Sequence, residues 1–224
     1  MRSDLAILTT SVIINSATIR LFWSNTDAFS AGDVSALESI LSVNELAYAS
    51  KSKSDFMRKR RILSRGLLRE KLSQITGVAP AAVPLAIMPG GKPYLNGLPA
   101  CPVRFSVACS LCWIIQAFCE VGDIGVDLEY VNPGQMTDGT VSYIMTDGQR
   151  LEWEALPQEQ REAAFFRRWV CMESVLKAAG CGLQGLSSLR LEKPDSAWCQ
   201  DRWWQVSELT APPEFMAALA VSTQ

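Results

Sequence analysis

Two short patterns in this chain set acidic and basic side chains where they could do chemistry. The first is Gly125-Val126-Asp127-Leu128-Glu129. In an extended strand, side chains two residues apart share a face, so Asp127 and Glu129 project together while Val126 and Leu128 turn into the core. Two neighbouring carboxylates repel and raise each other's pKa unless a cation lies between them. Oxygen ligands of that kind suit a hard divalent ion such as Mg2+. The plainer alternative is a strand end whose acids are solvated. The second pattern is Trp169, Glu173 and Lys177, spaced by four and therefore on one helical face. Glu173 could bring a third carboxylate to the strand pair. Alternatively, Glu173 and Lys177 form an ordinary helix ion pair, which contributes only about 0.3–0.5 kcal/mol.

Composition narrows the choice. The 224 residues include no histidine. That excludes Ser-His-Asp and Cys-His nucleophilic sites, histidine-ligated zinc and histidine general bases. Chemistry must fall to carboxylates, lysine, backbone groups or a metal held through oxygen. The net charge of −2 supplies no general basic field to attract nucleic acid. Seven cysteines, an odd number, point to reduced and mostly buried thiols in a cytoplasmic protein. The apolar N-terminal stretch is broken by Asp4, Thr9, Thr10, Ser11, Asn15 and Ser16, so two short strands are expected there rather than a membrane span or a leader.

The elements that must position these residues can be read from periodicity. Ile19, Leu21 and Trp23 alternate as one face of a strand over Thr18–Trp23. Asp33 is placed to cap a helix running through Ala36, Leu37, Ile40 and Leu41. A longer helix is expected over 54–76, with Phe56, Ile62, Leu67, Leu68 and Leu72 as its apolar side. Arg58, Lys59, Arg60, Arg61, Arg65, Arg69 and Lys71 crowd the rest, the one strongly basic stretch of the sequence, whose plain reading is a solvated face. Pro80, Pro84 and the run Pro89-Gly90-Gly91-Lys92-Pro93 mark a loop where backbone can approach a ligand. A lobe boundary is expected near residue 103. Beyond it, Val103–Ser110, Leu111–Cys119 and Ile124–Glu129 read as neighbouring, central antiparallel strands. Helices follow over 148–156 and 158–179, the latter closed by Gly180 and Gly182, with strands at 189–192, 203–210 and 215–221.

Taken together and in this order, the motifs resemble those of the Sfp-like 4'-phosphopantetheinyl transferases. That family shows a GKP loop, an F-N-x-S-H-S strand, a G-[IV]-D-[IL]-E strand and W-x-x-K-E-[AS]-x-x-K-x-x-G-x-G. Here they correspond to Gly91-Lys92-Pro93, Phe105–Ser110, Gly125–Glu129 and Trp169–Gly182. Leu41-Ser42 with Glu45, the Arg60–Arg69 helix and the closing stretch Phe215–Ala220 extend the likeness over nearly the whole chain. The resemblance implies an α/β (α+β) fold of two similar lobes with pseudo-twofold symmetry, 1–103 and 104–224, with the active site in the cleft between them, in a monomer. It implies transfer of phosphopantetheine from coenzyme A to a serine of an acyl or peptidyl carrier protein, without nucleic acid or membrane partners. By the same resemblance Asp127, Glu129 and Glu173 hold Mg2+ on the coenzyme A pyrophosphate. Lys177 serves the leaving diphosphate, and Glu173 is the candidate base. Arg60 and Lys92, with Gly91, Pro93, Cys109 and Ser110, receive the adenosine-phosphate end.

Two departures stand out. Ala108-Cys109 replaces the Ser-His of the strand motif, and Met172 replaces the first lysine of the helix motif. Each removes a polar or cationic contact to an anionic cosubstrate, and neither touches the three carboxylates. A non-catalytic protein that binds coenzyme A or a carrier on the same fold is the alternative reading.

Overall fold

Residues 7–14, 17–99, 101–193 and 195–223 are described by a computed structural model. Asp4, Asn15 and Ser16, which interrupt the apolar N-terminus, lie outside them. The chain divides into two compact units, Met1–Val121 and Gly122–Gln224, and each mixes helices with antiparallel strands. Among the described residues no helix is long and apolar enough to cross a membrane.

The first unit is built on a four-stranded antiparallel sheet of order β1-β2-β6-β5: β1 Ile7–Ile14, β2 Ala17–Asn25, β5 Arg104–Ser110 and β6 Trp113–Cys119. Ile19, Leu21 and Trp23 of β2 are buried, as their alternation requires. Helix α1 spans Ala31–Glu38 and α2 spans Val43–Ser50. Asp33 does not cap α1 itself. Ser30 is the cap, and Asp33 closes a capping box three residues in, its carboxylate accepting from the Ser30 amide at 3.0 Å. Ser42 and Glu45 repeat the device on α2.

Helix α3, Asp55–Thr76, buries Ile62, Leu63, Leu67, Leu68 and Leu72 and ends on Gly77 in the left-handed region (φ 73°). Phe56, expected on that apolar side, is instead exposed. Arg69 departs from the expected basic face as well. It is 3 % exposed, donates to Glu45 at 2.7 Å, and also donates to the carbonyls of Pro80 and Val83. A short hairpin, β3 Leu85–Ile87 and β4 Pro93–Leu95, occupies what the sequence marks only as loop.

The second unit carries a five-stranded antiparallel sheet of order β7-β11-β10-β9-β8: β7 Ile124–Tyr130, β8 Arg190–Lys193, β9 Ser196–Cys199, β10 Arg202–Leu209 and β11 Phe215–Ser222. Helices α4 (Asp138–Ile144), α5 (Asp147–Glu154) and α6 (Gln158–Ala179) complete it. The span and the glycine stop of α6 match the expectation, with Gly180 at φ 69°. Phe165, Phe166, Val170 and Val175 of α6 share a core with Trp204 and Val206 of β10.

Two expectations are corrected here. The sequence places β6 and β7 side by side, but β6 pairs with β2 and β5 whereas β7 pairs with β11, at the edge of a different sheet. The hydrogen bonds of β6 to β2, from Arg20↔Phe118 to Asn25↔Trp113, also tie residues 104–119 to the first unit. The division therefore falls at 121/122 rather than near 103. A long apolar run says that a strand is buried without saying which partner buries it.

Candidate active site

Gly125 is the residue that lets α6 settle onto β7. A Cβ there would stand 2.0 Å from the Ser174 carbonyl oxygen and 2.2 Å from the Ala178 amide nitrogen. Both are backbone atoms of α6, so only a glycine permits the approach. On the same strand face, two residues on, is Asp127, which is 3 % exposed. Ile124, Val126 and Leu128 are buried on the opposite face.

The helix delivers its own charges to that spot. Lys177 Nζ donates to Asp127 Oδ1 at 2.5 Å, whereas Asp127 Oδ2 is buried and without a hydrogen-bond partner among the described residues. Glu173, one turn earlier on the helix, is mostly desolvated. Burial pushes its carboxyl above the ordinary range, the Asp127 charge pushes it further, and Lys177 pulls it back. Glu129 is half-buried and follows Asp127 on its strand face. Trp169, at the start of the helical stripe, packs against Phe165 with ring centroids 5.6 Å apart. Tyr143 of α4, which sequence reasoning passed over, lies within the field of Glu173; its phenol is raised first by desolvation and then by that carboxylate.

The donor set fits a hard divalent ion. Crowded acids and an unpartnered buried carboxylate oxygen are what such an ion would satisfy. Mg2+ characteristically takes one or two carboxylates and completes its shell with water and phosphate oxygens. Among the described residues no three acidic or cysteine side chains gather into a ready-made metal cage. The structure brings Asp127, Glu173 and Lys177 together, with Glu129 adjacent along the strand.

In the first unit, a cavity of about 240 Å³ is lined by Arg60, Arg61, Ser64, Arg65, Gly91 and Cys109, with Tyr48, Met57 and Pro93 among its other walls. Residues 57, 60, 61, 64 and 65 fall on one face of α3, which explains why one helix supplies three guanidinium groups. Arg60 is braced from two sides, donating to the Leu111 carbonyl at 3.1 Å and to Met57 Sδ at 3.2 Å. Gly91 takes φ 87° in the turn between β3 and β4, where the Met88 amide donates to the Lys92 carbonyl at 2.8 Å. Cys109 Sγ contacts Ser64 Oγ at 3.6 Å. Lys92, half-buried in that turn, and Ser110, buried at the end of β5, are not among the residues lining the cavity. From sequence, Arg61 and Arg65 are legible only as members of the basic stretch of α3, and Tyr48 carries no signal.

Comparison with known proteins places this geometry. A family model described as the 4'-phosphopantetheinyl transferase superfamily matches residues 123–218, the segment holding Asp127, Glu129, Glu173 and Lys177. The 4'-phosphopantetheinyl transferase HetI of Nostoc sp. is 31% identical over 190 residues, 83% of this chain and 80% of that protein. The chain belongs to that superfamily. A 4'-phosphopantetheinyl transferase of Bacillus subtilis is 30% identical over 117 residues, 52% of this chain and 50% of the relative. The 4'-phosphopantetheinyl transferase AcpT of Salmonella typhimurium is 29% identical over 90 residues, 40% of this chain and 46% of the relative.

For this phosphopantetheinyl transferase the two departures have different consequences. Cys109 lines the arginine cavity, so a histidine there would face the same space. Met172 is 2 % exposed and belongs to the apolar core of the second unit, beside Val141, Ile144 and Phe165. Its side chain contributes to packing, one residue away from the stripe that carries Glu173 and Lys177.

Proposed function

We propose that this enzyme is of the Sfp-like kind and transfers 4'-phosphopantetheine from coenzyme A to a serine of an acyl or peptidyl carrier protein, with Mg2+ required. The observation that carries this reading is the buried Asp127, bonded to Lys177 through one oxygen and left unpartnered at the other, with Glu173 near enough to feel its charge. Asp127 and Glu173, with Glu129 next to them, would hold Mg2+, which when bound neutralises charge on the diphosphate.

The chain's own groups do the rest. The serine hydroxyl oxygen attacks the β-phosphorus in line, forming the new P–O bond as the bond to the bridging oxygen breaks and adenosine 3′,5′-bisphosphate leaves. Glu173, on the helical face that also carries Lys177, is the candidate to accept the serine proton. The Lys177 ammonium donates hydrogen bonds to the departing phosphate. Arg60, Arg61 and Arg65 offer the fork geometry that phosphate oxygens accept.

The test is incubation of the purified chain with coenzyme A, Mg2+ and a panel of apo acyl and peptidyl carrier proteins, read by intact mass. A gain of one phosphopantetheine on a carrier, lost on chelation, supports the proposal. Coenzyme A binding with no transfer to any carrier would replace it with the non-catalytic reading.

A further inference from the structure

Two cysteines of the second unit, which the transfer chemistry leaves unused, rest on the same glycine. Cys181 follows Gly180 at the end of α6, and Cys199 is the last residue of β9. Gly185 belongs to the 3-10 helix Gly182–Ser188 that follows Cys181. A Cβ on Gly185 would collide with Cys181 Sγ and stand 2.9 Å from the Cys181 Cβ. The Gly185 carbonyl oxygen lies 4.0 Å from Cys199 Sγ, and Ser188 Oγ lies 3.7 Å from that sulfur. Burial above all pushes Cys199 up to about 11; Ser188 lowers it, and the nearness of Cys181 raises it.

The two thiols differ in freedom. Cys199 is buried in its strand, and its carbonyl accepts from Trp204 Nε1 at 3.0 Å. Cys181 is partly accessible and stands between two left-handed glycines, Gly180 at φ 69° and Gly182 at φ 57°. Glycine on both sides lets the backbone turn at this one residue. Cys181 Sγ is held only by donating to the Leu176 carbonyl at 3.8 Å. Leu176 immediately precedes Lys177, so the position of this thiol is tied to the turn of α6 that presents the ammonium to Asp127.

We propose that Cys181 and Cys199 are a peroxide-sensitive pair whose oxidation to a disulfide slows transfer. Hydrogen peroxide oxidises Cys181, the accessible member, to a sulfenic acid; the O–O bond breaks and water leaves. The Cys199 sulfur then attacks the Cys181 sulfur. The S–O bond breaks, and the Cys199 proton departs with the hydroxide as a second water. Two thiols thus give up two electrons to one peroxide, and an added dithiol returns them by exchange. The bridge draws Cys181 Sγ from the Leu176 carbonyl toward β9 and shifts the last turn of α6, Lys177 with it.

The test treats the full chain with hydrogen peroxide, blocks the remaining thiols with iodoacetamide and maps the linked peptides without reduction. The expected product joins the peptides of Cys181 and Cys199. Transfer by the same sample should fall about tenfold or more, as when a catalytic group is misplaced, and should return on adding dithiothreitol. Cys181→Ser and Cys199→Ser should keep the basal rate and show neither the link nor the loss. If Cys199→Ser does not fold, Cys199→Ala carries the same expectations, and Cys181→Ser carries them independently. An oxidised wild type without the Cys181–Cys199 link overturns the inference and leaves the proposed function standing. A link formed with transfer unchanged also overturns it, as does an equal loss of transfer in peroxide-treated Cys181→Ser. A chain without transfer before oxidation overturns the proposed function and the slowing with it, while the mapped link still decides the pairing.

Discussion

Asp127 is buried with its charge balanced by Lys177, and an ion pair of this kind is costly to break from either side. Lys177→Met leaves a buried carboxylate without its ammonium. Because Lys177 is about one-third exposed, water can reach the gap, and the loss of stability should be about 1–3 kcal/mol, less than for a fully buried pair. Urea denaturation checks the size, and transfer should fall at least a hundredfold. Adding Asp127→Asn to that variant should return most of the stability, since replacing both partners removes the uncompensated charge. Activity should stay absent, and a double variant that regained transfer would contradict the roles assigned to both residues. Cys109 and Met172 can be separated in the same way. Cys109→His restores a ring donor inside the arginine cavity and should tighten adenosine 3′,5′-bisphosphate several-fold by calorimetry. Met172→Lys places an ammonium in an apolar core and should lower the melting temperature without tightening that ligand.

At the scale of elements, what the sequence made legible is what is local. The spans of α3 and α6 follow from apolar periodicity, with Gly180 and Gly182 closing the second, and both appear where they were expected. Pairing of β6 and β7 was misread because neither run of apolar residues encodes its partner, which is fixed by hydrogen bonds to β2 and β11. Arg69 was misread for a related reason. Its spacing puts it on a basic stripe, but the acceptors that bury it come from residues 80–83 and Glu45, elsewhere in the chain. Arg69→Met should therefore cost about 3–5 kcal/mol, as when one partner of a buried pair is removed. An exposed control, Arg58→Met, should cost under about 1 kcal/mol. Gly125→Ala tests the seat of α6 on β7. A methyl 2.0 Å from a helix carbonyl cannot be absorbed by a side-chain rotation. The helix must move, costing about 1–3 kcal/mol, and Lys177 moves with it. Melting temperature and transfer should fall together, whereas a Gly148→Ala control, which meets no atom within 4 Å, should leave both unchanged.

For the molecule as a whole, the absence of histidine limits the chemistry to carboxylates and lysine, and the strand and helix patterns meet in the second unit through the Lys177–Asp127 pair. The cavity wall of the first unit was harder to read, because it joins α2, α3, the β3–β4 turn and β5 across some sixty residues. Periodicity within one element cannot report such a convergence. The cysteines offer a test that spans both units. All seven are free thiols: Cys119, Cys171 and Cys199 are buried, and Cys101, Cys109, Cys112 and Cys181 are partly accessible. Burial pushes Cys199 up to about 11, and a raised thiol pKa means less of the reactive thiolate at any pH below it. Iodoacetamide at pH 8 should thus modify at most the four accessible thiols in the native protein and all seven after denaturation. Adenosine 3′,5′-bisphosphate, which has no thiol of its own, should slow modification of Cys109, which shares the arginine cavity, and leave Cys101 and Cys181 unaffected. Peptide mapping resolves the sites. Protection spread evenly over all four thiols would indicate general tightening of the fold, and unchanged labelling of Cys109 under saturating ligand would place the nucleotide outside this cavity.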